Sequence, residues 1–158
     1  MFYRLIVLVS FFCLLSNNLY SVTEDVAEKI VVSASRIATE KRYSPNAITI
    51  ISSDEIEARQ SFAVSDLLRT VPGLSIAKSG GNGQFTQLRT RGSEANHTMV
   101  LIDGIEVNDP AGADEFNFAT LTTSNIDRIE VIRGPQSALW GSDAMAGVIN
   151  IITKKAEK

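Results

Sequence analysis

Few side chains in this sequence are spaced for catalysis. Its one histidine, His97, stands in the loop-like run Ser93-Glu-Ala-Asn-His97, and its one cysteine, Cys13, lies in an apolar N-terminal stretch. A single histidine with no cysteine beyond that stretch gives no metal-ligand constellation. No Gly-x-Ser-x-Gly elbow supplies a serine nucleophile. The loop Gly80-Gly81-Asn82-Gly83 suggests a phosphate cradle. It lacks the Lys-Ser/Thr ending of a P-loop, however, and does not run from a strong strand into a long helix, so it reads as a flexible loop. Asp103 could be drawn as a catalytic acid, yet an aspartate before Gly104 is what a tight turn favours. Asn96-His97-Thr98 fits the N-glycosylation pattern, a short match that carries little information. No enzymatic activity and no cofactor are expected.

The elements that must position these residues are short. Ile48-Thr-Ile-Ile51 is a β-branched run and predicts a strand. Ser52 with Glu55 fits a capping box opening a helix over 54–59. A second helical segment, 63–71, places Val64, Leu67, Leu68 and Val71 on one face, and Pro72-Gly73 ends it. Brief strands follow at 74–76 and 87–91, separated by the glycine-rich loop 78–84. Residues 99–102 and 105–107 flank Asp103-Gly104, a pair that tolerates the positive φ angles of a type I′ hairpin turn. Residues 108–114 form another loop, and 116–126 is helical or irregular. Strands at 128–132 and 148–153, with a helical turn at 137–140, complete the pattern, and no internal repeat is visible. The fold class is α+β: a small mixed β-sheet with short helices and long loops.

The N-terminus has its own logic. Met1-Phe-Tyr-Arg4, an apolar run from Leu5 to Leu15 and a polar stretch ending at Ser21 read as a secretory signal peptide, 1–21. The apolar run is too short to span a bilayer, and Phe12 before Cys13 disfavours a lipoprotein site. The leader takes Arg4 from the 15 Lys and Arg, so 14 face 18 Asp and Glu, a net charge of −4. No basic surplus supports nucleic-acid binding. An exported chain without the leader's cysteine has no disulfide and depends on packing or a partner. Residues 22–46 are polar except for Ile30-Val31-Val32 and read as an extended arm, of which 35–46 could span ~40 Å. The domain itself is 47–154, with 155–158 as a tail. There are too few alternating strands for a membrane β-barrel.

Three ordered blocks now carry a resemblance. Glu28-Lys-Ile-Val-Val-Ser-Ala34 looks like a TonB box. Asp66-Leu-Leu-Arg-Thr-Val-Pro-Gly-Leu74, then Arg91-Gly92 and Val100-Leu-Ile-Asp-Gly-Ile105, look like a plug core. The run from Arg128 through Gly134-Pro-Gln-Ser-Ala-Leu-Trp-Gly141 to Lys154 looks like the segment that closes a plug. Together they resemble the N-terminal plug domain of TonB-dependent outer-membrane receptors from about Glu28 to Lys154. Gly80 to Gln84, His97 and Gly141-Ser-Asp-Ala144 look most like the cobalamin-receptor subgroup. Phe85 to Gln87, Glu94 and Asp109-Pro110 depart from that pattern, which leaves an iron–siderophore chelate open.

The resemblance implies a plug inside a barrel in the cell outer membrane, gating energy-coupled uptake of a scarce small-molecule nutrient. Glu28, Lys29, Ile30, Val31, Val32, Ser33 and Ala34 would bind TonB by adding a strand to its sheet, the alternative being an ordinary strand of this domain's own sheet. Ligand contacts would come from the loops, with Phe85, Gln87, Glu94, Gly112 and Ala113 as candidates. Arg91 and Arg133 would face acidic residues of the barrel wall. The alternatives are pairing within the plug, with Glu130 or Asp103, or solvent exposure. The barrel would be supplied elsewhere, the plug being truncated or encoded apart from it. A free periplasmic domain that binds ligand or TonB is the competing reading.

Overall fold

The computed structural model describes residues 30–31, 39–40 and 47–155. The expected leader, most of the arm, Glu28, Lys29, Val32, Ser33 and Ala34 of the expected TonB box, and the last three residues lie outside them. Strands β1 (Ile30–Val31) and β2 (Thr39–Glu40) pair antiparallel, Ile30 opposite Glu40 and Val31 opposite Thr39. Within the expected extended arm, residues 30–31 and 39–40 thus pair with each other. So short a ribbon is marginal by itself, and it belongs to neither of the domain's other sheets.

Strand β3 (Ala47–Ile51) leads into helix α1 (Ser53–Arg59). The expected capping box does not form. Ser52 holds the extended N-cap backbone, but its side chain makes no cap bond. Glu55 turns instead to Arg59, one helical turn on, at 2.7 Å. That charge-assisted i,i+4 pair competes for the carboxylate the box requires. Helix α2 (Val64–Leu68) is shorter than the expected segment, yet Val64, Leu67, Leu68 and Val71 are all buried. Gly73, at φ +82°, then makes the turn that a side chain would strain.

Strands β4 (Leu74–Lys78) and β5 (Thr86–Thr90) form their own antiparallel ribbon. Strands β6 (Thr98–Ile102) and β7 (Ile105–Glu106) flank Asp103 and Gly104, at φ 51° and 83°. Both angles are positive, as a type I′ turn requires. Between 116 and 126 the chain is irregular around a 3-10 turn at Phe118–Thr120, with Phe118 packed edge-on against Phe116. Strand β8 (Ile126–Arg133), helix α3 (Ser137–Trp140) and strand β9 (Gly147–Thr153) follow.

The main sheet has the order β3-β8-β9-β6-β7. Only β6 and β9 run parallel. Ile51, Ile129, Val131, Val100, Ile149 and Ile151 point to one face and join Ile56 of α1, Leu67 and Leu68 of α2, and Phe118 in the largest core cluster. The alternate residues point to the other face, where Ile48 and Ile50 meet Ile132 and where Met99 and Leu101 meet Val148 and Ala144. Burial on both faces explains the apolar run 99–102 of β6 and the apolar residues of β9 on either side of buried Asn150, which period-2 alternation alone does not produce. Gly147 is required at the β8–β9 junction, because a Cβ there would press into the carbonyl oxygen of Ile132.

Candidate functional site

On β5 the side chains alternate. Thr86, Leu88 and Thr90 are buried, while Gln87 and Arg89 are only partly covered. Gln87 donates its Nε2 to Glu115 Oε2 at 2.6 Å. Two residues on, Arg89 pairs with Glu94 at 3.3 Å. One side of β5 thus holds both the loop after the strand and the loop 108–115. In that second loop Pro110–Gly112 form a 3-10 turn capped by Asp109, whose Oδ1 accepts from Ala111 N at 3.0 Å. Glu115 N donates to the Gly112 carbonyl at 3.3 Å. The structure therefore brings Gln87 and Glu94 to one side of β5, with Gly112 and Ala113 in the loop that Glu115 ties there. Phe85, half-exposed, stands just before the strand, and its carbonyl accepts from Ser79 N across the glycine-rich loop.

Three residues that tie these loops down escaped the sequence reading. Glu115 is the anchor for Gln87. Asn108 accepts Val100 N at 2.8 Å while its Nδ2 donates to the carbonyls of Thr98 and Asp114. Asn117 accepts from Thr86 N at 3.0 Å and Ala119 N at 3.1 Å. Asparagine at a loop boundary is the signal that could have found the last two, since its amide readily replaces backbone partners. The pairing of Glu115 with Gln87 spans 28 residues and has no local signature.

The loop side is acidic. Burial raises the Glu106 carboxyl above its ordinary value, and the neighbouring carboxylates of Asp143 and Asp114 raise it further. Asp103, at the opposite end of the main sheet, behaves in the reverse way. Hydrogen bonds from the Thr153 side chain and backbone lower its pKa. The hairpin turn is thus only part of what Asp103 does.

Arg91 and Arg133 meet around Gly73. A Cβ at Gly73 would lie 3.5 Å from Arg91 Cγ and 3.9 Å from Arg133 Cδ. Arg133 donates from Nη1 to the Pro72 carbonyl at 2.7 Å and from Nη2 to Thr49 Oγ1 at 3.0 Å. Its Nε is buried with no hydrogen-bond partner among the described residues. Arg91 is exposed, sits at φ 52°, and donates its backbone N–H to the Gly73 carbonyl at 2.6 Å. Glu130 is held by Arg128 at 3.0 Å, and Asp103 by Thr153. Arg91 and His97 line one hollow of about 250 Å³ with Ser93, Gly134 and Pro135.

The remaining motifs resolve into structure. Thr98, 2% exposed, bonds through its hydroxyl to Thr90 at 2.9 Å, so the hydroxyl of Asn96-His97-Thr98 is committed inside the fold. Among the described residues no group of His, Cys, Asp and Glu could hold a metal ion. No helix there is long and apolar enough to cross a membrane, which says nothing of β-barrels.

Comparison with known proteins gives the family. Residues 40–148 match the family model described as TonB-dependent Receptor Plug Domain. Over 130 residues, 82% of the chain, the sequence is 40% identical to a protein of Vibrio vulnificus named vitamin B12 transporter BtuB, of which it spans 21%. Among solved structures, a variant of the ferric enterobactin receptor PfeA of Pseudomonas aeruginosa, in complex with enterobactin, superposes with a TM-score of 0.58. It is 31% identical, over 71% of this chain and 18% of that one. The siderophore receptor PiuA of Acinetobacter baumannii gives a TM-score of 0.61 at 29% identity, over 76% of this chain and 16% of that one. The chain thus spans about a fifth of the curated relative's length.

Proposed function

The chain belongs to the family of TonB-dependent receptor plug domains, a transport family and not an enzymatic one, and from that premise we propose that it gates energy-coupled uptake of a scarce nutrient through an outer-membrane β-barrel. The observation that carries this reading is the convergence of expected ligand residues from separate loops. Gln87 and Glu94 are tied to one side of β5, and Glu115 brings Gly112 and Ala113 toward it. Loops fixed to a rigid strand are how a fold presents a binding surface. Phe85 adds a half-exposed aromatic ring beside them.

Energy coupling falls to Glu28, Lys29, Ile30, Val31, Val32, Ser33 and Ala34, binding TonB as an added strand. The β1–β2 ribbon supports the β-strand preference of Ile30 and Val31 and is short enough to yield to a longer pairing. Arg91 and Arg133 are assigned to the barrel wall. The exposed guanidinium of Arg91 leaves donors available for carboxylates there, with Arg133 beside it around Gly73. For the ligand, the 40% identity to a protein named as a vitamin B12 transporter favours a cobalamin, while similarity to siderophore receptors supports a ferric chelate as the second choice.

The reading is tested at the box. Val31→Pro removes a ladder donor from a strand that must pair through its backbone. TonB retained by the wild-type chain should be lost by this variant. Equal affinity for the two would remove the strand-addition mechanism.

A further inference from the structure

Strands β6 and β9 run parallel, with Thr98 and Gly147 at the end nearest the candidate ligand loops and Ile102 and Ile151 at the other. At that other end lies a cleft of about 680 Å³. Its walls are Asp103 and Gly104 of the hairpin turn, Asp127 and Arg128 at the start of β8, and Asn150 and Ile152 of β9. The volume falls within the roughly 300–1,000 Å³ of ligand pockets. Asn150 is the decisive group. It stands on a central strand and is 3% exposed. Its Oδ1 accepts from Gly104 N at 3.3 Å, while its Nδ2 donates to no described residue. A donor so placed costs stability until something accepts from it. Arg128 is fixed on two sides, donating from Nε to Glu130 at 3.0 Å and from Nη1 to Asp127 at 3.3 Å. Its Nη2 has no acceptor among the described residues. Both oxygens of Asp103 accept from Thr153. The uncommitted groups of the cleft are therefore chiefly donors.

We propose that this cleft binds an uncharged, amide-bearing ligand through its carbonyl oxygen. Asn150 Nδ2 and Arg128 Nη2 are the donors, and Ile152 supplies an apolar wall. Charge decides against an anion. Arg128 and Lys155 bring two positive charges to the cleft, while Asp103, Asp127 and the Glu130 bonded to Arg128 bring three negative ones. A carboxylate would have to shed its water to meet a surplus of like charge, whereas a carbonyl offers the same donors an acceptor without that cost. The surplus suits the N–H of an amide, for which Asp127 keeps acceptor capacity beyond its bond to Arg128. None of these residues belongs to the nutrient loops, the TonB-binding segment or the arginines assigned to the barrel wall. The proposal therefore stands apart from those assignments.

The test titrates the full 158-residue chain with two probes of nearly the same shape: N-acetyl-leucine N-methylamide, which is uncharged, and N-acetyl-leucine, a carboxylate. Binding is followed through the side-chain amide signals of Asn150 in nitrogen–proton correlation spectra. The uncharged probe should shift those signals saturably and bind at least about tenfold more tightly than the carboxylate. Asn150→Asp keeps the shape and the acceptor for Gly104 and removes the donor, so it should weaken the uncharged probe by at least about tenfold, read from the backbone signals around the cleft. Ile152→Thr keeps a β-branched side chain on the wall, spares the sheet, and should weaken binding by about three- to fivefold through lost apolar contact. The proposal is overturned by the lack of a saturable shift or by a carboxylate that binds as tightly as the amide. Wild-type affinity in either variant whose spectrum keeps the wild-type dispersion overturns it as well.

Discussion

Asp103 grips Thr153 twice: Oδ1 accepts from the backbone N–H at 2.9 Å and Oδ2 from the hydroxyl at 2.7 Å. The contact fastens the β6–β7 hairpin to the end of β9, 50 residues away. These bonds lower the Asp103 pKa. A folded-state pKa below the unfolded one means that the contribution is complete above about pH 3.9, the ordinary aspartate value, and is lost as pH falls through the lowered one. Asp103→Asn keeps the left-handed turn geometry and removes the charge. Because the group is exposed, the expected loss at neutral pH is only about 0.5–1 kcal/mol. Urea titrations of both proteins should show the gap closing below about pH 3.9. A gap that persists unchanged down to about pH 2 would mean that the ionised carboxylate contributes nothing.

Gly147 permits the close pairing of β8 with β9. Its partner in register is Arg133, and a methyl group would push into the Ile132 carbonyl. The obstacle is backbone in the middle of a sheet, so relief requires moving a strand. Gly147→Ala should cost about 3 kcal/mol or more, at or above the usual range for overpacking, and lower the melting temperature clearly. A melting curve superimposable on wild type would be incompatible with this register.

Arg133 acts as a fork between Pro72 and Thr49. Loss of both bonds in Arg133→Ala should cost the isolated chain about 1–3 kcal/mol, and Arg133→Lys, which cannot span both acceptors, about half as much. If neither substitution changes stability, the arginine's value lies wholly outside this domain, and the assignment to a barrel partner gains by it. Thermal melts of the three proteins decide the matter.

Much of this architecture was legible from local chemistry. The β-branched runs marked β3 and β9, Asp103-Gly104 marked the hairpin, and the spacing of Val64, Leu67, Leu68 and Val71 marked the buried side of α2. Each signal is complete within a few residues. What escaped depended on distant partners. The capping box failed because Arg59 drew Glu55 away. The separation of β4–β5 from the main sheet, and the tie between Gln87 and Glu115, are decided by tertiary packing that no short window contains. The pairing of 30–31 with 39–40 was likewise invisible, because neither segment carries a local sign of its partner. Within the candidate site, the loops were recognisable, but the strand side that gathers them was not.

The strand order has a bearing on how the domain comes into being. Strand β9 lies at the centre of the main sheet and is the last to be synthesised. Until it arrives, β3–β8 and β6–β7 are separate pairs with no strand to join them, and the apolar faces of β6 and β8 lack their common neighbour. Folding must therefore wait for nearly the whole domain to leave the ribosome, and the pairing that completes it closes loops of high contact order.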